Sequence, residues 1–197
     1  MVLAVGLAGC TNTEAGSPAP MRDPAPTESG GGGGGSAEPT SPNLPARPAE
    51  LRLDAVDPCA VMTKDQLKQI KVSRFLPGTN GGAFEGAKNC MFNVFDQGNS
   101  YSYTATVVTT EGIGPWLEGK RNVESKLVSV EGYAAAQYHL PGEGESIDCS
   151  TSVDVAEGQQ LVIRMTPITT GKFSQDQVCQ LSEQAAGLAM TTLQASR

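Results

Sequence analysis

Apolar and polar residues along this chain follow two different periods. From Asn89 the period is two. Cys90-Met91-Phe92-Asn93-Val94-Phe95 is apolar on both faces and predicts a central strand, with Gln97-Gly98-Asn99 turning into the next. Tyr101, Tyr103, Ala105 and Val107 share one face of that next strand and Ser102, Thr104 and Thr106 the other, the pattern of a strand half covered by core. Lys126 to Glu131 and Tyr133 to Leu140 read as two strands joined around Gly132. Ile147 to Ala156 alternates again and runs through Glu157-Gly158 into Gln159 to Met165, so Asp154 to Gln160 forms a hairpin whose tight turn Gly158 supplies.

Helical spacing flanks this block on both sides. Asp57 is a good N-cap and Pro58 a good first helical residue, so a turn of helix carries Cys59; Thr63 caps a second short helix, Lys64 to Ile70, with Leu67 and Ile70 facing inward. A further short helix is expected from Pro115. At the far end Ser174 is an N-cap with Gln177 at the capping-box position. Val178, Leu181, Ala185, Leu188, Ala189 and Thr192 then recur at helical spacing as one apolar stripe. The class is α+β: a mainly antiparallel sheet of five to six strands, short N-terminal helices and a long C-terminal helix packed on one face. Pro77 to Gly82 reads as a loop, since no buried strand precedes it and no helix follows to make its glycines a phosphate cradle.

Composition divides the chain near residue 50. Thr11 to Glu50 holds eight of the thirteen prolines, the run Gly30 to Gly35 and no aromatic residue. Such a segment cannot bury enough apolar surface to offset its ordering entropy, and forty residues of it reach roughly 35 Å as a flexible linker. Residues 51–197 are the size of one domain. They carry 12 Lys and Arg against 16 Asp and Glu, a net charge of −4 without a basic stripe, which argues against nucleic acid as a partner. Ahead of the linker, residues 1–9 are an apolar run closing on Leu7-Ala8-Gly9-Cys10. This looks like a bacterial lipobox whose cysteine takes a diacylglycerol, although the run lacks the Lys/Arg n-region of a full signal and is expected to be truncated. Cys10 then anchors the domain to the outer face of the cytoplasmic membrane, reaching into the cell wall.

With Cys10 set aside, Cys59, Cys90, Cys149 and Cys179 are an even set in an exported chain and predict two disulfides. Three pairings are open. Cys59–Cys90 with Cys149–Cys179 is preferred, because it closes the shortest loops and ties a helix start to a strand each time. Neither a zinc site nor a redox pair fits the spacing, and no cofactor is expected. Trp116, the only tryptophan, is the best candidate for a ligand platform, with Tyr101 and Tyr103 as a lesser pair; a plug over the core and a cross-strand aromatic contact are the preferred structural readings. His139 lacks a Cys, Ser or second His partner for catalysis. Glu143, Glu145 and Asp148 do not have calcium-loop spacing and read as a solvated acidic turn.

Asp57-Pro58-Cys59 with Thr63, the mid-chain Cys90 with Phe92 two positions on, the Gly132-centred strand pair, Cys149 before Val153-Asp154-Val155, then Gly158 and Cys179 on the final helix are similar to a family. They resemble the actinobacterial lipoprotein domain of unknown function found in small mycobacterial Lpr-type lipoproteins. That resemblance, over about Leu51 to Leu193, implies a lipid-anchored envelope protein of an actinomycete and brings no catalytic residues with it. The expected function is a non-enzymatic lipoprotein that binds an envelope ligand or protein. The alternatives are an envelope hydrolase and a disulfide-stabilised sensor or regulatory module.

Overall fold

Thr63 and Gln66 close a capping box at the start of α1 (Lys64–Gln69), the Thr63 hydroxyl accepting from the Gln66 N–H while the Gln66 side chain accepts from the Thr63 N–H. The same device starts α3 (Gln175–Ala195), where Ser174 and Gln177 reciprocate. Before α1, Asp57 caps a 3₁₀ turn at Pro58–Ala60 by accepting from the Cys59 N–H. These helices, with the short α2 (Gly114–Leu117), surround a single sheet. The structure, a computed structural model, describes residues 43–79, 82–142 and 147–196. Cys10 and the linker as far as residue 42, with Glu143 and Glu145, lie outside those residues.

The sheet has seven strands: β1 (Arg74–Gly78), β2 (Asn89–Val94), β3 (Tyr101–Val108), β4 (Glu124–Val130), β5 (Tyr133–His139), β6 (Cys149–Ala156) and β7 (Gln159–Pro167). All neighbours are antiparallel, in the order β1-β2-β3-β7-β6-β5-β4. One strand more than expected is present because Arg74–Gly78, part of which reads as a loop, pairs with β2. Every residue of β1 is exposed, so it has no alternation to detect, and Pro77 is tolerated because an edge strand can spare a donor. β2 is not central either. It lies second from that edge with Met91 exposed, and the centre belongs to β7, whose Leu161, Ile163 and Met165 are fully buried.

Turns follow the predicted glycines. β4 enters β5 through Glu131 and Gly132, both at positive φ (49° and 83°), which suits the twist of a two-residue hairpin. Gly158 at φ 64° turns β6 into β7, next to a bulge between Asp154 and Ala156.

The main core fills one face of the sheet, where Phe92, Tyr103, Ile163, Met165 and Leu161 meet Val178, Ala185, Ala189, Met190 and Leu193 of α3. α3 is rotated relative to the predicted stripe. Its buried side includes Cys179, Ser182, Ala186 and Met190, while Leu181, Leu188 and Thr192 sit at the margin. The rotation has two causes. The Cys149–Cys179 disulfide fixes α3 to the start of β6, and Ser182 can be buried because its hydroxyl donates to the Ile163 carbonyl at 2.8 Å and meets Thr151 Oγ1 at 2.9 Å. The second disulfide, Cys59–Cys90, fixes the 3₁₀ turn to β2, so the two bridges are the short-loop pair.

A smaller cluster covers part of the opposite face, with Phe84, Val108, Ile113, Trp116, Tyr138 and Val162. Residues 43–50, which composition assigns to the linker, lie against the domain here. Leu44 packs on this cluster, and the Arg47 guanidinium donates to both oxygens of the buried Asp154 carboxylate at 2.7 and 3.0 Å.

Candidate functional site: a polar groove beside the final helix

α3 packs over β6 and β7 and leaves the edge hairpin, β4–β5, only partly covered. Between the helix and that hairpin runs a groove of about 1060 Å³. Its sheet side carries Glu124, Lys126 and Val130 of β4 with Gln137 and His139 of β5, placed together by the register Glu124↔His139 and Lys126↔Gln137. Its helix side carries Asp176, Cys179, Glu183 and Gly187 together with several glutamines.

Gln137 is the floor. It is 3 % exposed, and its amide nitrogen donates to the Cys179 carbonyl at 3.2 Å and to Glu183 Oε2 at 3.0 Å, which spans the groove from β5 to α3. With the donors committed, Gln137 Oε1 accepts from nothing among the described residues. At one end Gly187 spares a side chain where a Cβ would stand 3.4 Å from Glu131 Oε1. A glycine inside a helix costs about 1 kcal/mol relative to alanine, so space there is obtained at the expense of helix stability. At the other end the Gln175 amide donates to the Asp148 carbonyl at 2.7 Å and lies 3.6 Å from Cys179 Sγ, so the Cys149–Cys179 bridge forms the shoulder of the groove.

The residues singled out in the sequence are mostly elsewhere. Trp116 is 3 % exposed, stacked on Tyr138 with ring centroids 3.9 Å apart, edge-on to Phe84 and beneath the Arg121 guanidinium. Its indole N–H donates to Gln160 Oε1 at 3.0 Å, and the Gln160 amide nitrogen donates to the carbonyls of Glu111 and Gly112. Trp116 therefore serves as a plug, on the face opposite the groove. Tyr101 and Tyr103 meet edge to face at 5.5 Å along one strand, not across two, and Phe173 closes the other side of Tyr101. Burial raises the Tyr103 phenol well above its ordinary range. His139 does line the groove, with Nε2 3.8 Å from Glu124 Oε2 and Nδ1 3.0 Å from the Leu140 carbonyl. Asp148 is committed to Arg164 through a short ion pair. Among the described residues no cluster of three or more His, Cys, Asp or Glu could hold a metal, and no helix is long and apolar enough to cross a membrane.

Gln137, Glu183 and Gly187 were not foreseen. Gln137 had a signal: it is a polar residue on the core-facing register of a strand that is otherwise buried from Tyr133 to Tyr138. Gly187 had another, as the one glycine inside a 21-residue helix. Neither signal says where the two residues meet, because that depends on the rotation of α3.

No curated protein and no solved structure matches this chain. One family does match, described as "Protein of unknown function (DUF3558)", over residues 5–192. With nearly the whole chain inside that match, this protein belongs to the DUF3558 family.

Proposed function

We propose that this protein is a non-enzymatic, extracytoplasmic binding module, tethered through a lipidated Cys10 in an actinomycete envelope, whose groove between α3 and β4–β5 holds a polar envelope ligand or protein segment. The observation that carries the reading is the groove itself. Its floor is the Gln137 amide, which bonds Cys179 and Glu183 and leaves its oxygen free for a ligand, its walls are carboxylates and carboxamides, and one end is kept open by a helix-interior glycine. Such a lining offers orientation-fixing hydrogen bonds rather than apolar burial, which suits a ligand that is itself polar. Two structural disulfides agree with an oxidising compartment, and the family match begins ahead of Leu7-Ala8-Gly9-Cys10, so that segment falls within the matched range. Binding without chemistry fits the groove side chains, of which Glu183 is engaged by Gln137 and His139 faces Glu124 and a backbone carbonyl.

Two readouts on the full chain extracted from membranes test the two halves of this reading. Intact mass is expected to give a diacylated N-terminus at Cys10 and a shift on reduction of two disulfides; an unlipidated Cys10 would sink the tether. Hydrogen exchange with and without a soluble cell-wall extract is expected to slow peptides covering 124–130, 137–139 and 175–191. Unchanged exchange there would sink the groove.

A further inference from the structure

We infer that the groove is built for an extended cationic peptide segment, with Glu183 and Gln137 Oε1 receiving a lysine or arginine side chain midway along it. This rests on the groove being the binding site and goes further by naming the ligand class. Charge is the first argument. The lining carries four carboxylates, Glu124, Glu131, Asp176 and Glu183, against Lys126, which makes no ion pair or hydrogen bond among the described residues, and His139. Their placement is the second. Asp176 and Glu183 are seven helical residues apart, roughly 10 Å, and Glu124 at the start of β4 and Glu131 in the turn just past its end are roughly 23 Å apart. The acidic groups therefore form a row along the groove rather than a cage around one point. A row of that length matches about seven residues of extended chain, in which every second side chain falls on the same side.

The floor supplies an observation independent of charge. Gln137 is almost completely buried and spends both amide hydrogens on Cys179 and Glu183, so what it can still offer a ligand is its Oε1 acceptor, which no described residue engages. That oxygen is not among the sealed-off atoms left without a partner, so it is open to the groove, and a ligand that donates can use it. Ammonium and guanidinium groups only donate, and beside Glu183 the resulting bonds are charge-assisted. A peptide is favoured over a simple polyamine by the walls. Gln180 and Gln184 of α3 both donate and accept, which matches a backbone that alternates N–H and C=O; a polyamine would leave their donors unused.

Titration of the full detergent-extracted chain at low salt with three compounds tests this: a capped seven-residue peptide with Lys at alternate positions, its Glu-for-Lys counterpart, and spermine. The Lys peptide is expected to bind at least tenfold more tightly than either of the others and to slow exchange over 124–130 and 175–191. Glu183→Gln is expected to weaken it threefold to tenfold. Gly187→Gln, which improves helix propensity while filling one end of the groove, is expected to weaken it at least as much without loss of folding. Equal binding of spermine, or Lys-peptide binding that both variants leave unchanged, overturns the inference. So does a second copy of the chain covering the groove, seen as a doubled mass with the same peptides protected. If the cell-wall extract slows groove exchange and the Lys peptide does not bind, the groove stands and the peptide falls. If neither alters exchange there, both fall.

Discussion

The two faces of the sheet are held by different physics. Beneath α3 the contacts are apolar and close-packed, from Phe92 and Tyr103 across to Met165 and Met190, and the two disulfides pin that layer at Cys90 and Cys149. On the other face the buried residues include Gln160, Asp154, Thr106, Ser150 and Ser152, and what covers part of them is a small aromatic lid, Trp116 on Tyr138 with Phe84 at its edge and Arg121 above. An apolar layer tolerates exchange of one shape for another of equal volume, whereas a buried polar group needs its particular partner. The groove lies on the helix side, so its polar floor is an exception cut into the apolar layer.

The largest separation between the faces is expected at Trp116. Trp116→Ala removes the stack on Tyr138 and strands Gln160 Oε1, a loss of about 3–5 kcal/mol in chemical denaturation. The sharper comparison uses conservative changes. Trp116→Phe keeps a ring but leaves the fully buried Gln160 acceptor without its donor, at about 1–3 kcal/mol, while Met190→Leu beneath α3 should cost under about 1.5 kcal/mol. If Met190→Leu proves the costlier of the two, the contrast between the faces is wrong.

Next in size is the covalent pin. The Cys149–Cys179 pair closes a sequence separation of 30 residues, and in the chain-entropy model its removal as Cys149→Ala with Cys179→Ala costs about 3–4 kcal/mol. Cys59–Cys90, with a separation of 31, should cost a similar amount. The distinguishing readout is local: loss of the first pair should speed exchange at Gln137 and along 175–183, and loss of the second should not. On the polar face the equivalent clamp is Arg47 on Asp154, and Arg47→Met is expected to cost about 3 kcal/mol by leaving Asp154 buried without its cation. Adding Asp154→Asn should recover part of that loss; no recovery in the double variant would show that Arg47 acts through its aliphatic stem instead.

The contrast also explains what could be read from sequence. Alternation exposed β3 and the hairpins because one of their faces is apolar, and an N-cap at Thr63 and a capping box at Ser174 marked α1 and α3 from a few residues each. β1 escaped because an exposed edge strand has no inside to alternate with. The docking of residues 43–50 escaped because it rests on one leucine and one ion pair separated by 107 residues, in a stretch whose composition is that of a linker. For the groove, His139 was visible as a residue and not as a site. Its walls come from segments about forty residues apart in sequence, and their meeting depends on the rotation of α3, which Ser182 and Cys179 set against the simple apolar stripe.

A loss somewhat smaller than that of either clamp is expected from pH, and it belongs chiefly to the polar face. Tyr138 is raised from 10.0 to about 12, chiefly because burial disfavours the phenolate, with the Ser152 and Ser150 hydroxyls and the Arg164 and Arg121 charges opposing. A raised acid holds its proton longer in the folded chain than in the unfolded one. The stability this supplies is therefore complete below about pH 10 and is lost as pH rises toward 12, by roughly 2–3 kcal/mol for two units. Tyr103, raised in the same direction by burial beneath Tyr101, adds a loss of the same sign on the other face. Denaturation midpoints measured between pH 9 and 12 should fall, and Tyr138→Phe should flatten that fall while leaving the Tyr103 share. If Tyr138→Phe leaves the alkaline slope untouched, the lid over the polar face is open to water, and the stacked pair with Trp116 cannot be the seal that this contrast requires.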